Sequence, residues 1–186
     1  MQGGQRHQGF QVIDEPLAGL YVLQRRLFAD ERGVLDRLYA AEDPLLSEAG
    51  LTIEHVNLVT MRNTGTLKGM HLQRGHPPEI KLITCVAGSV FDACVDVRPQ
   101  SATFGQWFGM TLDAEAAVSI LATAGFAHGV QCLSRDSVMI YMHSDRYRPE
   151  MEYGIHALDP DVAIDWPLPA KSMSARDEGL PNLCDL

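Results

Sequence analysis

The central part of the chain alternates apolar and polar residues with a period of two. The alternation is clear from residue 51 to residue 59 and continues, less strictly, to Met142. Because successive side chains of a β-strand point to opposite faces of the sheet, this pattern predicts strands with one buried face. Further short strands are predicted at residues 80–86, 90–97, 104–112, 118–123, 128–133 and 138–143. Eight or more short strands with few helices indicate an all-β sandwich or barrel.

The flanking segments predict strands before this region and an extended wrap after it. Residues 10–27 hold short apolar clusters broken by Pro16 and Gly19, which predicts two strands joined by a turn. Residues 37–50 carry apolar residues at helical spacing and are predicted to form one of the few helices. The proline-rich stretch 159–169 is unsuited to a central strand, so we expect it to run over the outside of the sheets.

Two local predictions concern a connection and an end of the chain. The glycine connection Ala87-Gly88-Ser89 separates two apolar strands and predicts a β-hairpin. Residues 1–9 are mostly polar and are expected to form a disordered tail without function.

Composition and charge narrow the classes of function. The chain has 186 residues, 46% of them apolar, which suits a single domain (1–186) with one core. Fifteen Lys and Arg against 24 Asp and Glu give a net charge of −9, which argues against sequence-independent binding to nucleic acid or to an anionic membrane. The four cysteines are widely spaced and no apolar run has the length of a membrane span, so we expect reduced thiols in a cytoplasmic protein.

Several ionisable residues stand between apolar neighbours in the predicted strands. His71 and Lys81 each lie between two apolar residues, so on an alternating strand they point to the face opposite those neighbours. An inward lysine is costly unless an anion or a carboxylate meets it. Asp92, Asp96 and Tyr141 are placed in the same way. Each alone has an ordinary explanation as a packed or hydrogen-bonded residue, but together they predict a jelly roll whose interior contains a polar cavity.

Two glycine-containing stretches carry the candidate chemistry. Residues 65–73, Gly-Thr-Leu-Lys-Gly-Met-His-Leu-Gln, place His71 close to Lys68 and are followed by Lys81. A packed sheet seldom needs that combination, so a polar ligand is expected there. In residues 125–129, Gly-Phe-Ala-His-Gly, the glycines predict a turn that brings backbone and imidazole close to a ligand.

These stretches resemble the dTDP-4-dehydrorhamnose 3,5-epimerase family. The resemblance runs in one order from about Leu27 to Asp177 and includes several separate motifs. Besides residues 65–73 and 125–129, they are Lys81-Leu82, Val90-Phe91-Asp92, Val95-Asp96-Val97-Arg98, Thr103-Phe104-Gly105, Tyr147 with Pro149-Glu150, Glu152, Gly154-Ile155, Asp159-Pro160-Asp161 and Ile164-Asp165-Trp166-Pro167. The resemblance implies a cupin-type jelly-roll β-barrel, a homodimer, and epimerisation of a nucleotide-linked 4-keto-6-deoxy sugar at C3, C5 or both, without cofactor or metal.

The resemblance also implies roles for individual residues. His71 matches the base, and Asp177 matches the carboxylate that hydrogen-bonds it. Lys81 matches the cation near the carbonyl oxygen, and Tyr141 matches the acid that returns a proton from the other side. Such a reaction needs these groups because a proton next to a ketone becomes removable when the enolate oxygen is stabilised. The matching substrate-binding residues are Arg32, Asp30, Lys68, Gln73, His128 and Tyr147.

The chain departs from the family pattern mainly where the nucleotide would be held. Lys68 stands where arginine is usual, which replaces a planar fork by a point charge. Other departures are Val34-Leu35-Asp36, Leu72, Thr123-Ala124, Val59 and Met61. The reacting groups are retained, so a different nucleotide, a different keto sugar or epimerisation at one carbon only are alternatives.

Three other classes remain open at this point. A metal-dependent cupin enzyme would use imidazoles and a carboxylate, for which His71, His76, Glu79 and His128 are candidates. The usual His-x-His spacing is absent, and Lys81 and Tyr141 would then have no role. A non-catalytic sugar-nucleotide binding module would bind without exchanging substrate protons. A 3,4-ketoisomerase of the same fold is the third alternative.

Overall fold

The computed structural model describes residues 9–186, which form thirteen strands and four short helices. The strands are β1 Phe10–Leu17, β2 Leu20–Arg25, β3 Leu27–Asp30, β4 Gly33–Asp36, β5 His55–Met61, β6 Leu67–Gln73, β7 Lys81–Ala87, β8 Ser89–Asp96, β9 Trp107–Asp113, β10 Val118–Ala122, β11 Phe126–Cys132, β12 Ser137–His143 and β13 Glu152–Gly154. The α-helices are α1 Pro44–Glu48 and α2 Ala175–Glu178, and the 3-10 helices are Pro149–Met151 and Leu183–Asp185. The all-β prediction is confirmed.

Two antiparallel sheets pack face to face. The six-stranded sheet has the order β1-β2-β10-β7-β12-β5, and the five-stranded sheet has the order β13-β6-β11-β8-β9. The core between them combines residues from both sheets, such as Val22, Ile83 and Ile120 from the first and Cys94 and Val130 from the second. This is the jelly-roll arrangement, but in the described part of the chain the sheets do not close into a continuous barrel.

The outer faces of both sheets are also covered. Phe91, Ala93 and Val95 of the five-stranded sheet pack beneath Ile164 and Trp166 of the C-terminal segment. This confirms that the proline-rich segment runs over the outside. On the six-stranded sheet a second apolar layer includes residues of α1. Strands β7, β8 and β11 are therefore almost entirely buried, which explains their nearly continuous apolar sequences.

The predicted hairpin at Gly88 is wrong. Strand β7 pairs with β10 and β12, whereas β8 pairs with β9 and β11, so Gly88 connects the two sheets. Its φ of +69° suits the sharp change of direction, and a Cβ there would lie 2.5 Å from Ser134 Oγ. Both strands are apolar on both faces, so the local pattern did not reveal that each one has two other neighbours.

Two boundaries also differ from prediction. The predicted helix 37–50 is reduced to α1, which begins with Asp43 as its N-cap and Pro44 in the first turn. Of the predicted tail, residues 1–8 lie outside the described residues. Gly9 is buried, and its N–H donates to Asp43 Oδ2 at 2.9 Å, so it belongs to the folded structure.

Within residues 9–186, the helices are too short and polar for any of them to cross a membrane.

Candidate active site

A cavity of about 540 Å³ opens between the two sheets. It brings together eight of the ten residues predicted for the site, from four strands, a loop and a helix. These eight are Lys68, His71, Gln73, Lys81, His128, Tyr141, Tyr147 and Asp177. As alternation predicts, His71 faces the cavity while its neighbour Met70 packs in the outer apolar layer; Leu72 packs in that layer and also touches the cavity.

His71 and Asp177 form a hydrogen-bonded pair. His71 Nε2 lies 2.9 Å from Asp177 Oδ1. Burial lowers the pKa of His71, and the Asp177 carboxylate offsets part of that decrease, so the imidazole is neutral at neutral pH. With its Nε2–H donated to Asp177, Nδ1 keeps a lone pair. Nδ1 is buried, has no hydrogen-bond partner among the described residues and lies 3.8 Å from Glu152 Oε1, so its capacity to accept a proton is unused within the protein.

Helix α2 holds the Asp177 carboxylate in place. The Ser174 hydroxyl caps this helix by accepting from the Asp177 N–H at 3.1 Å. Asp177 Oδ2 accepts from the Gly69 N–H at 3.3 Å. A Cβ at Gly69 would lie 2.5 Å from Gly129 Cα, so strands β6 and β11 approach unusually closely behind His71.

Lys81 places a cation beside His71. Its side chain is only 11% exposed, and its Nζ donates to the carbonyl oxygen of His71 at 3.0 Å. The same ammonium lies 3.3 Å from Glu79 Oε2, which supplies the carboxylate that a buried lysine needs.

Tyr141 and His128 face each other in the cavity. Their rings meet edge to face with centroids 5.4 Å apart, and His128 Nε2 lies 2.7 Å from Asp92 Oδ2. Burial raises the pKa of Tyr141 well above its ordinary value, and the Asp92 charge adds to this effect. The phenol is therefore protonated at neutral pH. Tyr141 belongs to the six-stranded sheet and His71 to the five-stranded sheet, so a proton donor and a proton acceptor line the cavity from opposite walls.

The mouth of the cavity carries charged and hydrogen-bonding groups. Lys68 is exposed, and Arg176 forms an ion pair with Glu152. The Tyr147 hydroxyl also donates to Glu152, at 2.7 Å. Gln73 donates to Asp145 Oδ2 and to the carbonyl oxygen of residue 146, and it accepts from the N–H of residue 148. The Gln73 amide thus holds the loop that carries Tyr147.

Asp30 and Arg32 lie outside this cavity. They stand at the tip of the β3–β4 hairpin, where Arg32 Nη2 lies 2.5 Å from Asp30 Oδ2. The Arg32 side chain is 84% exposed. Within one chain, the hairpin does not bring these two residues to the other eight.

The candidate metal ligands have separate partners. His71 pairs with Asp177, His128 pairs with Asp92, and Glu79 pairs with Lys81 and His143, while His76 is exposed. In residues 9–186 no group of three or more His, Cys, Asp or Glu side chains is arranged to hold a metal ion.

Sequence reasoning missed several cavity residues. His55, Asn57 and His143 line the cavity from strands β5 and β12. Their signal was the same alternation that identified Tyr141, since His143 lies two positions further on the same strand face. Glu152 and Arg176 also line the cavity, but strand β13 and helix α2, which carry them, are too short to give a periodic signal.

Comparison with known proteins agrees with this site and fold. The family model for dTDP-4-dehydrorhamnose 3,5-epimerase matches residues 14–185. An enzyme of that name from Mycobacterium tuberculosis is 40% identical over 179 residues, covering 94% of this chain and 87% of the relative. A dTDP-4-dehydrorhamnose 3-epimerase from Streptomyces niveus is 35% identical over 165 residues, covering 87% and 78%.

A solved structure of an enzyme with a related name also matches this chain in sequence and fold. The crystal structure of dTDP-6-deoxy-D-glucose-3,5-epimerase from Legionella pneumophila in complex with dTDP-4-keto-L-rhamnose superposes with a TM-score of 0.86 at 34% identity, covering 94% of this chain and 93% of that chain. Both the sequence match and the jelly-roll architecture extend over nearly the whole chain. The chain therefore belongs to the dTDP-4-dehydrorhamnose 3,5-epimerase family, a family of sugar-nucleotide isomerases with the cupin-type jelly-roll fold.

Proposed function

We propose that the protein epimerises a nucleotide-linked 4-keto-6-deoxy sugar at C3 and C5 through an enolate. One observation carries this proposal: the His71 imidazole and the Tyr141 phenol line opposite walls of one cavity, and the Lys81 ammonium lies beside His71. Inversion at carbon requires removal of a proton from one face and its return to the other. C3 and C5 both neighbour the C4 carbonyl, so a single cation near that oxygen stabilises the enolate for either carbon.

Each group has a role in this reaction. His71 removes the proton, and Asp177 stabilises the imidazolium that forms. Lys81 stabilises the enolate oxygen, while Tyr141 gives a proton to the opposite face. His128, oriented by Asp92, contacts the sugar. Because the reaction only removes and returns protons, these side chains suffice and we propose no cofactor.

Epimerisation at one carbon is the second candidate. The Streptomyces niveus relative is named as a 3-epimerase and is 35% identical to this chain, similar to several relatives named as 3,5-epimerases. Overall similarity does not separate the two activities, so the number of inverted carbons must be measured.

The nucleotide end of the substrate lies at the cavity mouth in this proposal. Lys68 and Arg176 are the cations there, and Tyr147 offers an exposed ring. A diphosphate placed between these cations would compete with Glu152 for Arg176.

We also propose a homodimer that completes this mouth. Strand β5 is an edge strand and exposes Val56 and Leu58, which are 54% and 66% exposed. The β3–β4 hairpin likewise exposes Val34 and Leu35. Natural proteins cover such edges, and a partner would do so here. In that dimer the hairpin of one protomer brings Arg32 and Asp30 to the cavity of the other.

We also propose a cytoplasmic location. The free thiols of all four cysteines fit a reducing cytoplasm.

Deuterium exchange tests the proposed reaction. The enzyme is incubated in deuterated water with 4-keto-6-deoxy sugars linked to dTDP, GDP, UDP or CDP, and the deuterons entering C3 and C5 are counted by NMR. Exchange with inversion at both carbons is the expected result for at least one nucleotide, and exchange at one carbon would identify the single-carbon activity. Binding without exchange for every sugar would overturn the proposal in favour of a binding module.

A further inference from the structure

A third histidine–carboxylate pair, His143 with Glu79, lines the cavity, and the proposed reaction leaves its histidine without a role. His143 Nδ1 lies 2.9 Å from Glu79 Oε1, and the other oxygen of that carboxylate lies 3.3 Å from Lys81 Nζ. The side chains of Glu79 and His143 are only 7% and 11% exposed. Enclosing charged groups in this way costs desolvation energy, and apolar residues of similar size would fill the same space without that cost. The pair therefore needs a functional explanation.

The strand register places His143 beside the reacting groups. Tyr141 and His143 are two positions apart on β12 and share a face, with ring centroids 6.3 Å apart. On one side His143 pairs with Lys81 of β7, and on the other side it pairs with His55 of β5. His143 is thus next to both the proposed proton donor and the proposed carbonyl-binding cation.

Glu79 determines which nitrogen of His143 carries the proton. Burial alone would raise the pKa of Glu79, but the hydrogen bond from His143 and the charge of Lys81 outweigh it and lower that pKa. Burial lowers the pKa of His143, although Glu79 acts in the opposite direction. An ionised carboxylate therefore accepts Nδ1–H from a neutral ring, and Nε2 keeps its lone pair.

The Nε2 lone pair is poorly satisfied by the protein. Asn57 Nδ2 lies 3.4 Å from it, which is long for a hydrogen bond. The stacked neighbour His55, with ring centroids 4.2 Å apart, has a buried Nδ1 that lacks a hydrogen-bond partner among the described residues. Buried polar atoms without partners are uncommon, and an unpartnered His55 Nδ1 beside the weakly bonded His143 Nε2 on a cavity wall marks a place where a ligand hydroxyl is bound.

We propose that His143, oriented by Glu79, accepts a hydrogen bond from the sugar hydroxyl next to the carbonyl group and thereby selects substrates that carry it. This inference rests on the proposed function. In a 4-keto-6-deoxy sugar the C3 hydroxyl is the only hydroxyl next to that carbonyl, because C5 carries the ring oxygen and the methyl group. The carbonyl oxygen and this hydroxyl oxygen are attached to adjacent carbons. Lys81 and His143, which would bind them, are likewise neighbours, because both contact the Glu79 carboxylate. A buried acceptor that loses its donor is costly, so a substrate without the hydroxyl is rejected.

Two substitutions of His143 separate the loss of its hydrogen bond to the sugar hydroxyl from a general packing defect. In His143→Asn the amide nitrogen replaces Nδ1 and keeps the bond to Glu79, but the acceptor at Nε2 is lost. In His143→Gln the amide reaches the position of Nε2 instead. Each variant is assayed with the 4-keto-6-deoxy substrate and with its 3-deoxy analogue, and deuterium exchange at C5 is measured because both compounds retain that proton.

The preference for the hydroxylated substrate is the decisive quantity. We expect the unmodified enzyme to favour it in kcat/KM by about 10²-fold or more. His143→Asn should reduce this preference to about tenfold or less, mainly through a higher KM for the hydroxylated substrate, and His143→Gln should retain most of it. An equal loss for both substrates in His143→Asn would overturn the proposal, because a packing defect does not distinguish them.

Two further variants complete the test. His76→Asn is the matched control, since His76 is exposed and outside the cavity, and its preference should equal that of the unmodified enzyme. Glu79→Gln should lose part of the preference because an amide can donate as well as accept and no longer fixes the proton on Nδ1; an unchanged preference would overturn the orienting role. Failure of the proposed function is recognised separately, because the unmodified enzyme would then show no exchange at C3 or C5 with either compound.

Discussion

His71 on strand β6 and Asp177 on helix α2 are joined by a contact of 2.9 Å between Nε2 and Oδ1. The other oxygen of Asp177 accepts from the N–H of Gly69 on the same strand. One carboxylate therefore orients the imidazole and also anchors the strand that carries it. This relationship links the C-terminal segment to the chemistry at the centre of the sheets.

Replacing the two reacting groups should have different effects. His71→Asn removes the base, so exchange and epimerisation should both fall by roughly 10² to 10⁴. Tyr141→Phe keeps the base and Lys81, so deuterium should still enter the substrate with its configuration retained. NMR of the recovered sugar in deuterated water measures both. If Tyr141→Phe abolished exchange as fully as His71→Asn, the assignment to opposite faces would be wrong.

Removing the Asp177 charge should move the pH profile. The neutral form of His71 is the proposed base, and Asp177 raises the pKa of that imidazole by stabilising the imidazolium. Asp177→Asn should therefore shift the acid limb of kcat/KM to lower pH, while the plateau falls to a level between those of the unmodified enzyme and His71→Asn. Asp165→Asn, at an exposed position of the same C-terminal segment, is the control and should keep the original profile. An acid limb that stays in place would contradict the role given to Asp177.

The cations at the mouth should act on binding rather than on chemistry. Lys68→Ala and Arg176→Ala should each raise KM by about tenfold or more with a smaller change in kcat, since a charge-assisted contact to a diphosphate is made equally in the ground state and the transition state. Arg135→Ala, which is exposed and outside the cavity, should have no effect. Steady-state kinetics with the nucleotide sugar decide this, and equal losses in kcat and kcat/KM would assign the cations to chemistry.

Mixed dimers should reveal whether Arg32 acts on the partner's cavity. The Arg32→Ala and His71→Asn variants are each expected to have low epimerase activity when assayed alone. When the two are dissociated together and reassembled, mixed dimers contain one cavity with intact His71 and an intact Arg32 from the other protomer. Activity should then rise toward a fraction of the unmodified level. If Arg32 served its own chain, mixed dimers would have no intact site and activity would not recover.

Gly69→Ala should destabilise the fold and the site together. A Cβ there would lie 2.5 Å from Gly129 Cα and 2.7 Å from the His128 carbonyl oxygen, and φ is +114°. We expect a loss of about 1–3 kcal/mol or more in the free energy of unfolding, measured by chemical denaturation. Gly33→Ala separates the two causes, because Gly33 has φ of +141° but no atom within 4 Å of the added Cβ. Equal losses in the two variants would show that backbone strain, rather than the clash, is responsible.

The sequence by itself determined most of the strands and which ionisable side chains face inward. Period-two alternation identified most of the strands and the inward direction of His71, Lys81 and Tyr141, because side-chain direction along a strand is a local property. The family motifs then determined the fold class and the type of reaction. These inferences need only the order of residues along one strand or one motif.

Only the tertiary structure decided how the strands and side chains are paired. The register of β12 with β5 and β7 created the cluster of Glu79, His143 and His55, whose members come from separate parts of the chain. Gly88 connects two sheets instead of forming a hairpin for a related reason. Strands that are apolar on both faces can pair with many neighbours, and the choice among them depends on the packing of the whole core rather than on local sequence.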